Sequence, residues 1–237
     1  MPEYNPNPKL VGSRIVDCIP QTGECPNQCP ECFYNGGRFF KPLDEPWMPP
    51  LAEVLYHGLI VRVNSGHDSN IGRKEVIAAT ARYPRLFYNT AIPQFSFPAP
   101  VVFTCNGGRD GKLKLVAPTP NLMFVRVRTD SWDMETVDKA VAHYLQKHGI
   151  PVVLTFMRYY DGTKIPESAR GDYEWVRHLV NDYYCPKPET ILRVMGRYKG
   201  AGVRMCGMPW SSYCADCRNC EFLFREAMRR VCPHRWR

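Results

Sequence analysis

The cysteines of this chain concentrate in two tight groups near opposite ends of the sequence. The members are Cys25, Cys29 and Cys32 in the first group, and Cys206, Cys214, Cys217 and Cys220 in the second. Gaps of two or three residues let one short loop direct several sulfurs at one point, as a metal centre requires. A disulfide instead needs a specific separation and orientation of its two Cβ atoms. The spacing therefore predicts two metal sites.

The first group offers three thiols on one loop. A four-iron cluster held by three thiolates keeps one iron open for a ligand that is not part of the protein. Zinc is the alternative, but Cys₄ zinc sites usually pair two Cys-x-x-Cys units, and Cys18 is the only spare thiol nearby. The odd number of close thiols favours an iron–sulfur cluster with an open site.

In the second group, three cysteines recur at every third position, a spacing shared with bacterial ferredoxins. We expect Cys206 to be the fourth ligand, because Gly207, Pro209 and the serines that follow suit a loop that folds back on a cluster. Cys185 and Cys232 are the alternatives. Four protein ligands would close this site and make it an electron carrier or a structural anchor, with zinc again the competing metal.

Size and composition indicate a globular protein. The chain has 237 residues, 44% of them hydrophobic, and a formal net charge of +8. No apolar run approaches the length of a membrane span, and the N-terminal residues do not resemble a secretion signal. We therefore expect a cytoplasmic protein without a membrane partner, in a compartment that keeps thiols reduced.

Basic residues crowd together only at the C-terminus, at Arg225, Arg229, Arg230, His234, Arg235 and Arg237. One interpretation is the solvated face of a last helix. The other is a contact with nucleic acid, which would suit a zinc-stabilised nucleic-acid-binding protein. That protein class is the alternative to an iron–sulfur enzyme.

The elements that must position the cysteines alternate between strand and helix. Strands are predicted at 13–19, 59–63, 86–89, 101–105, 122–127 and 151–157, and helices at 51–58, 72–83, 133–149, 173–180, 189–199 and 221–230. This alternation predicts an α/β fold with a largely parallel sheet. Ligands of such folds lie beyond the carboxyl ends of the strands, where the cysteine loop and the polar turn 64–70 would meet.

The Cys25–Cys32 motif resembles that of the radical S-adenosylmethionine (SAM) enzymes. The resemblance implies a partial (β/α)6-type barrel over residues 13–205, after an N-terminal extension at 1–12 and before an auxiliary-cluster segment with a basic helix at 206–237. Cys25, Cys29 and Cys32 would hold a 4Fe-4S cluster whose open iron binds the amino and carboxylate groups of SAM. One-electron cleavage of SAM would then produce a radical that abstracts hydrogen from a substrate.

The resemblance also implies partners and cofactor contacts. A flavodoxin or ferredoxin would supply the electron, and the group at Cys206–Cys220 would hold a second 4Fe-4S cluster. The turn with Asn64, Ser65 and Gly66 stands where the family carries a Gly-Gly-Glu segment that touches the SAM amino group. The family places an aromatic residue before its third cysteine. Here Glu31 stands there, and Phe33 and Tyr34 follow the motif instead.

Two arginines on one strand complete the expected cofactor site. Arg126 and Arg128 alternate with Val125 and Val127, so both should project from the same face of the strand. If that face is the interior, one of them would pair with the SAM carboxylate. The alternative is a solvated outer face. Thr155 and Met157 on the next strand are weaker candidates, since such residues more often belong to a core.

Overall fold

The computed structural model of the chain describes Tyr4, residues 6–30, Cys32, residues 42–178 and residues 181–231. Its centre is a curled, half-barrel sheet of seven strands, all paired in parallel. In spatial order these are β1 (Ile15–Cys18), β2 (Ile60–Val63), β3 (Leu86–Thr90), β4 (Val101–Thr104), β5 (Leu122–Thr129), β6 (Val152–Phe156) and β9 (Arg204–Met205). The predicted α/β class with a parallel sheet is confirmed, and the curl is compatible with a partial barrel.

Helices follow most of the strands. They are α1 (Leu51–Tyr56), α2 (Arg73–Thr80), α3 (Met134–Ala140), α4 (Pro188–Gly196), α5 (Cys214–Cys217) and α6 (Asn219–Val231). Short 3-10 turns lie at Pro8–Leu10, Gly162–Lys164 and Glu167–Asp172. Asp133 caps α3 by accepting a hydrogen bond from the Thr136 amide, and a π-helical turn at Val141–Lys147 continues that helix. No helix among the described residues is long and apolar enough to span a membrane.

The two faces of the sheet bury different apolar clusters. The outer face packs on α1 to α4 through residues such as Val54, Val76, Val137 and Ile191. On the opposite, inner face, Leu223, Phe224 and Ala227 of α6 join Ile15, Ile60, Phe87, Val102, Phe124 and Val153. The C-terminal helix is therefore part of the packing of the sheet.

Polar residues follow this apolar layer along the inner face. Because strand residues two apart point to the same side, Asp17, Arg62, Asn89, Thr104, Arg126 and Thr155 lie one step nearer the carboxyl ends of their strands. The inner face is thus apolar where α6 covers it and polar above that helix. The polar part of the inner face lies next to both cysteine groups.

One predicted helix is wrong. Residues 173–180 were expected to be helical, but β7 (Tyr173–His178) pairs antiparallel with β8 (Asn181–Pro186). The run Tyr173-Glu-Trp-Val-Arg-His178 is rich in aromatic and β-branched side chains, which fit a pleated surface better than a helix. A small cluster with Met157, Tyr159 and Ile165 buries Tyr173 and ties the hairpin to the end of β6.

Candidate metal and cofactor sites

A cavity of about 220 Å³ lies on the inner face at the carboxyl ends of the strands. Its lining includes Cys25, Cys29, Cys32, Asn64, Ser65, Gly66, His67, Asp68, Asn89, Thr90, Thr104, Gly107, Arg126, Arg128, Thr155 and Met157. We call it the first cavity. The structure therefore brings together residues from six separate segments, including the cysteine loop and the turn 64–70, which were expected to meet at this edge. Phe33, Tyr34 and Glu31 lie outside the described residues.

The cysteine loop is held in place by the loop after β4 and by β5. The backbone N–H of Gly108 donates to the sulfur of Cys29 at 3.1 Å. Gly108 has a φ of +87°, a conformation that glycine adopts without strain. The guanidinium of Arg128 donates to the carbonyl of Pro30, and that of Arg109 to the carbonyl of Pro26 at 3.3 Å. These contacts fix the loop between its first and third cysteines.

Asp68 connects three of the loops around the cavity. Its carboxylate accepts from the Thr90 hydroxyl and the Ala91 amide at 2.7 Å each, from the Asn70 amide at 2.9 Å, and from the Asn27 side chain at 3.2 Å. Asp68 is only 3% exposed. Four donors hold this carboxylate, so Asp68 positions the cysteine loop.

The two arginines of β5 have different surroundings. Arg128 is engaged, since it also donates to the carbonyl of Asn106 at 2.7 Å, while the side chain of Asn106 in turn bonds the backbone of Arg128. Arg126 has no hydrogen-bond or ion-pair partner among the described residues, and its guanidinium lies 6.0 Å from the Phe124 ring. Both line the first cavity. Arg126 is therefore the cation available to a ligand there.

Several buried polar atoms around the first cavity have no partner within the part of the chain described. They are Asn64 Oδ1, His67 Nδ1, Asn89 Oδ1, Arg128 Nε and Thr155 Oγ1. Buried polar atoms are normally satisfied, so this set indicates a polar ligand. Asn89 was missed by the sequence analysis. The available signal was an asparagine inside the otherwise apolar and aromatic strand Leu86-Phe-Tyr-Asn-Thr90.

Burial keeps the thiols of Cys25 and Cys29 protonated in the metal-free chain. It raises the pKa of Cys25 to about 11 and also raises the pKa of Cys29, with the Gly108 N–H acting in the opposite direction on Cys29. Because metals bind the thiolate, loading this site would release protons. Burial lowers the pKa of His67, so its ring is neutral near pH 7.

The second cysteine group lines another cavity on the inner face, of about 280 Å³. Its lining includes Arg14, Arg62, Arg126, Cys206, Cys214, Cys217, Arg218, Cys220, Glu221 and Arg225. We call it the second cavity. Cys206 lines it together with the other three, which leaves Cys206 as the candidate for a fourth ligand. Of the alternatives, Cys185 lines a separate cavity beside Arg158, and Cys232 lies outside the described residues.

The end of β9 and the break between α5 and α6 bring the four thiols of the second group to one cavity. The amide of Cys206 donates to the carbonyl of Leu154 in β6 at 2.7 Å, so Cys206 lies at the edge of the sheet. Asn219 donates to the carbonyl of Met205 at 2.6 Å and thereby joins the start of α6 to β9. Between α5 and α6, Arg218 adopts a left-handed φ of 50°. This break returns Cys220 to the same cavity as Cys214.

The second cavity is rich in positive charge. Arg62 forms a bidentate, buried ion pair with Asp17, at 2.7 and 3.2 Å. Burial raises the pKa of Cys214 to about 11 and that of Cys220 to about 12. Arg62 acts in the opposite direction on both thiols, and Arg126 does so on Cys220. Cations in these positions stabilise negative charge in the cavity.

The basic residues of α6 are engaged within the chain. Arg225 pairs with Glu221, Arg229 pairs with Glu226, and Arg230 donates to the carbonyls of Leu122 and Met123. His234, Arg235 and Arg237 lie outside the described residues. The described part of the predicted basic tail thus contacts the protein itself.

Two further findings bear on identity. Within the described ranges, no three His, Cys, Asp or Glu side chains are gathered closely enough to hold a single metal ion. Comparisons with protein-family models, with curated proteins and with solved structures find no match. The function must therefore be argued from the two cavities.

Proposed function

We propose that this protein is a radical SAM enzyme. It would cleave S-adenosylmethionine reductively at a 4Fe-4S cluster held by Cys25, Cys29 and Cys32, in order to start hydrogen abstraction from a substrate. The observation that carries the proposal is the first cavity, where the three thiols share one space with unpaired buried donors and acceptors. Its position in a curled parallel sheet supports a barrel of the radical SAM type.

The unpaired groups complement an amino acid. The free carbonyl oxygens of Asn64 and Asn89 can accept hydrogen bonds from an ammonium or from hydroxyl groups. Arg126 can pair with a carboxylate, because its guanidinium has no other partner among the described residues. The methionyl part of SAM carries both an ammonium and a carboxylate, and its ribose carries hydroxyls. A ligand with one charge alone would leave part of this set unsatisfied.

The protein's own residues would bind and orient SAM. An iron–sulfur cluster, when bound, supplies the electron that converts SAM to methionine and a 5′-deoxyadenosyl radical. Asp68, Gly108 and Arg128 hold the cysteine loop against the ends of the strands, and Arg126 and Asn64 would orient the amino acid. Asn89 and Thr155 remain available to the ribose.

We assign Cys206, Cys214, Cys217 and Cys220 to a second 4Fe-4S cluster. Its four thiols line one cavity, and the arginines around them favour an anionic group there. A cluster with four protein ligands has no open iron, so this site would relay electrons or stabilise the junction of β9 and α6. A flavodoxin or ferredoxin is the proposed source of electrons for the enzyme.

The test is anaerobic reconstitution with iron and sulfide, followed by reduction in the presence of SAM. The wild-type protein should release 5′-deoxyadenosine, and Cys29→Ala should release none while it retains the second cluster. Cys105→Ala is the matched control, because Cys105 is buried in the core and lies outside both cavities. A Cys29→Ala variant as active as the wild type would refute the proposal.

Zinc is the competing occupant of the first cavity, and His67 supplies the test. Its unpaired Nδ1 lines the cavity with the three thiols, so a Cys₃His zinc site would need it. A cluster held by three cysteines would not. His67→Ala should therefore keep its full iron content. If His67→Ala instead loses one equivalent of zinc, the zinc interpretation is correct.

A further inference from the structure

One residue, Arg126, lines both cysteine cavities. It lies on the inner face of β5, opposite Thr104 of β4 and Val153 of β6. The residue is half-buried, but the nitrogen atoms of its side chain remain accessible. The guanidinium therefore faces open space in the cavities. Among the lining residues of the two cavities, Arg126 is the one that both share.

The other inner-face arginines near it have assigned partners. Arg62 is held by the carboxylate of Asp17, and Arg128 is held by the carbonyls of Pro30 and Asn106. Arg126 has neither a carboxylate nor a carbonyl partner among the described residues. Because its guanidinium faces the cavities, an anion in either cavity can pair with it. The same guanidinium is therefore available to each.

We propose that Arg126 couples the two sites, because an anionic ligand in the first cavity and the negative charge of a cluster in the second compete for its guanidinium. The inference rests on the proposed function. A carboxylate that pairs with Arg126 neutralises the cation facing the second cavity, so the second cluster becomes harder to reduce. By linkage, reduction of the second cluster weakens ligand binding in the first cavity by the same factor.

The experiment is an equilibrium redox titration of the fully reconstituted protein, monitored by electron paramagnetic resonance. The signal of the second cluster is identified in the variant with Cys25, Cys29 and Cys32 replaced by Ala. The probe is S-adenosylhomocysteine, which keeps the amino and carboxylate groups and has no sulfonium to cleave. At a fixed potential, saturating probe should lower the reduced-to-oxidised ratio of the second cluster by about fivefold or more, the usual range of site-to-site coupling.

Two variants distinguish a specific effect of Arg126 from the effect of any positive charge near the second cavity. Arg126→Met should lower that ratio by a similar factor without any ligand and should abolish the response to the probe. Arg14→Met is the control, since Arg14 lines only the second cavity and should leave the response to the probe intact. If Arg126→Met has the wild-type ratio, or if the wild-type ratio ignores bound probe, the coupling is refuted.

A failure of the coupling can be distinguished from a failure of the proposed function. A protein that binds no iron, or that forms no 5′-deoxyadenosine, overturns the enzyme assignment and with it the coupling. A protein that holds both clusters and cleaves SAM, but whose second cluster does not respond to Arg126→Met, overturns the coupling alone.

Discussion

The backbone N–H of Gly108 donates to the sulfur of Cys29 at 3.1 Å, although 79 residues separate them in the sequence. This contact joins the loop after β4 to the loop after β1. A hydrogen bond of this kind orients a thiolate and stabilises its charge. The cysteine loop thus depends on its neighbours in the sheet for its shape.

Replacing Gly108 should weaken the first site. At its φ of +87°, an added Cβ would be strained and would lie 3.1 Å from Lys114 Nζ. We expect Gly108→Ala to cost about 1–2 kcal/mol of folding free energy and to lower the iron content of the first site. Urea unfolding of the apo-protein and iron analysis of the reconstituted protein measure the two effects. Gly196→Ala is the control, since an added Cβ there meets nothing within 4 Å and should not lower stability.

Removing the charge of Asp68 should loosen three loops at once. Its buried carboxylate accepts four hydrogen bonds, and an amide can accept only some of them. We expect Asp68→Asn to cost about 2–3 kcal/mol of folding free energy in urea unfolding of the apo-protein. Asp44→Asn, at an exposed position, is the matched control and should leave the unfolding curve unchanged. Equal stability of Asp68→Asn and the wild type would show that the network is not formed.

The inner-face ion pair between Asp17 and Arg62 should behave as a coupled unit. The Asp17 side chain is 1% exposed and that of Arg62 is 10% exposed, so removing one charge deprives a buried group of its opposite charge. Asp17→Asn should cost about 3 kcal/mol of folding free energy. In a double-mutant cycle, Asp17→Asn with Arg62→Met should cost less than the sum of the single changes by about 1 kcal/mol or more. Strictly additive effects would contradict the pairing.

The apo-protein should lose stability as the pH rises above 9. Burial raises the pKa of the Cys105 thiol to about 12, from an ordinary value of 9.0. Between these values the folded state keeps a proton that the unfolded state has released, so the free energy of unfolding falls with pH. Cys105→Ala should make this fall shallower by up to about 1.4 kcal/mol per pH unit. Urea unfolding at pH 8 to 11 measures it, and parallel curves for the two proteins would contradict the assignment.

Much of the fold could be predicted because apolar runs mark buried strands. The six predicted strands all lie in the parallel sheet, and Cys18 and Cys105, near the ends of two of them, are fully buried. The helix predicted at 173–180 is wrong. The aromatic and β-branched side chains of this segment favour a strand, and the strand is stabilised by its pairing with β8. The two-residue strand β9 gave no signal because it is too short for periodicity.

The sequence predicted that the cysteine loop and the turn 64–70 would meet at the first cavity. It did not predict which hydrogen bonds form there. Spacing alone placed Arg126 and Arg128 on one face, and it could not tell that Arg128 binds loop carbonyls while Arg126 remains unpaired among the described residues. Asn89 was missed because its strand is otherwise apolar and aromatic. Which inner-face residues meet depends on the curl of the sheet, and this is a tertiary property.

The central claim is that Cys25, Cys29 and Cys32 hold an iron cluster with one open iron. The most direct measurement is a Mössbauer spectrum of the ⁵⁷Fe-reconstituted protein with Cys206, Cys214, Cys217 and Cys220 replaced by Ser, recorded with and without SAM. We predict one four-iron cluster in which one iron changes its signal when SAM binds. Stoichiometric zinc in place of iron, or an iron spectrum that SAM leaves unchanged, would contradict the account.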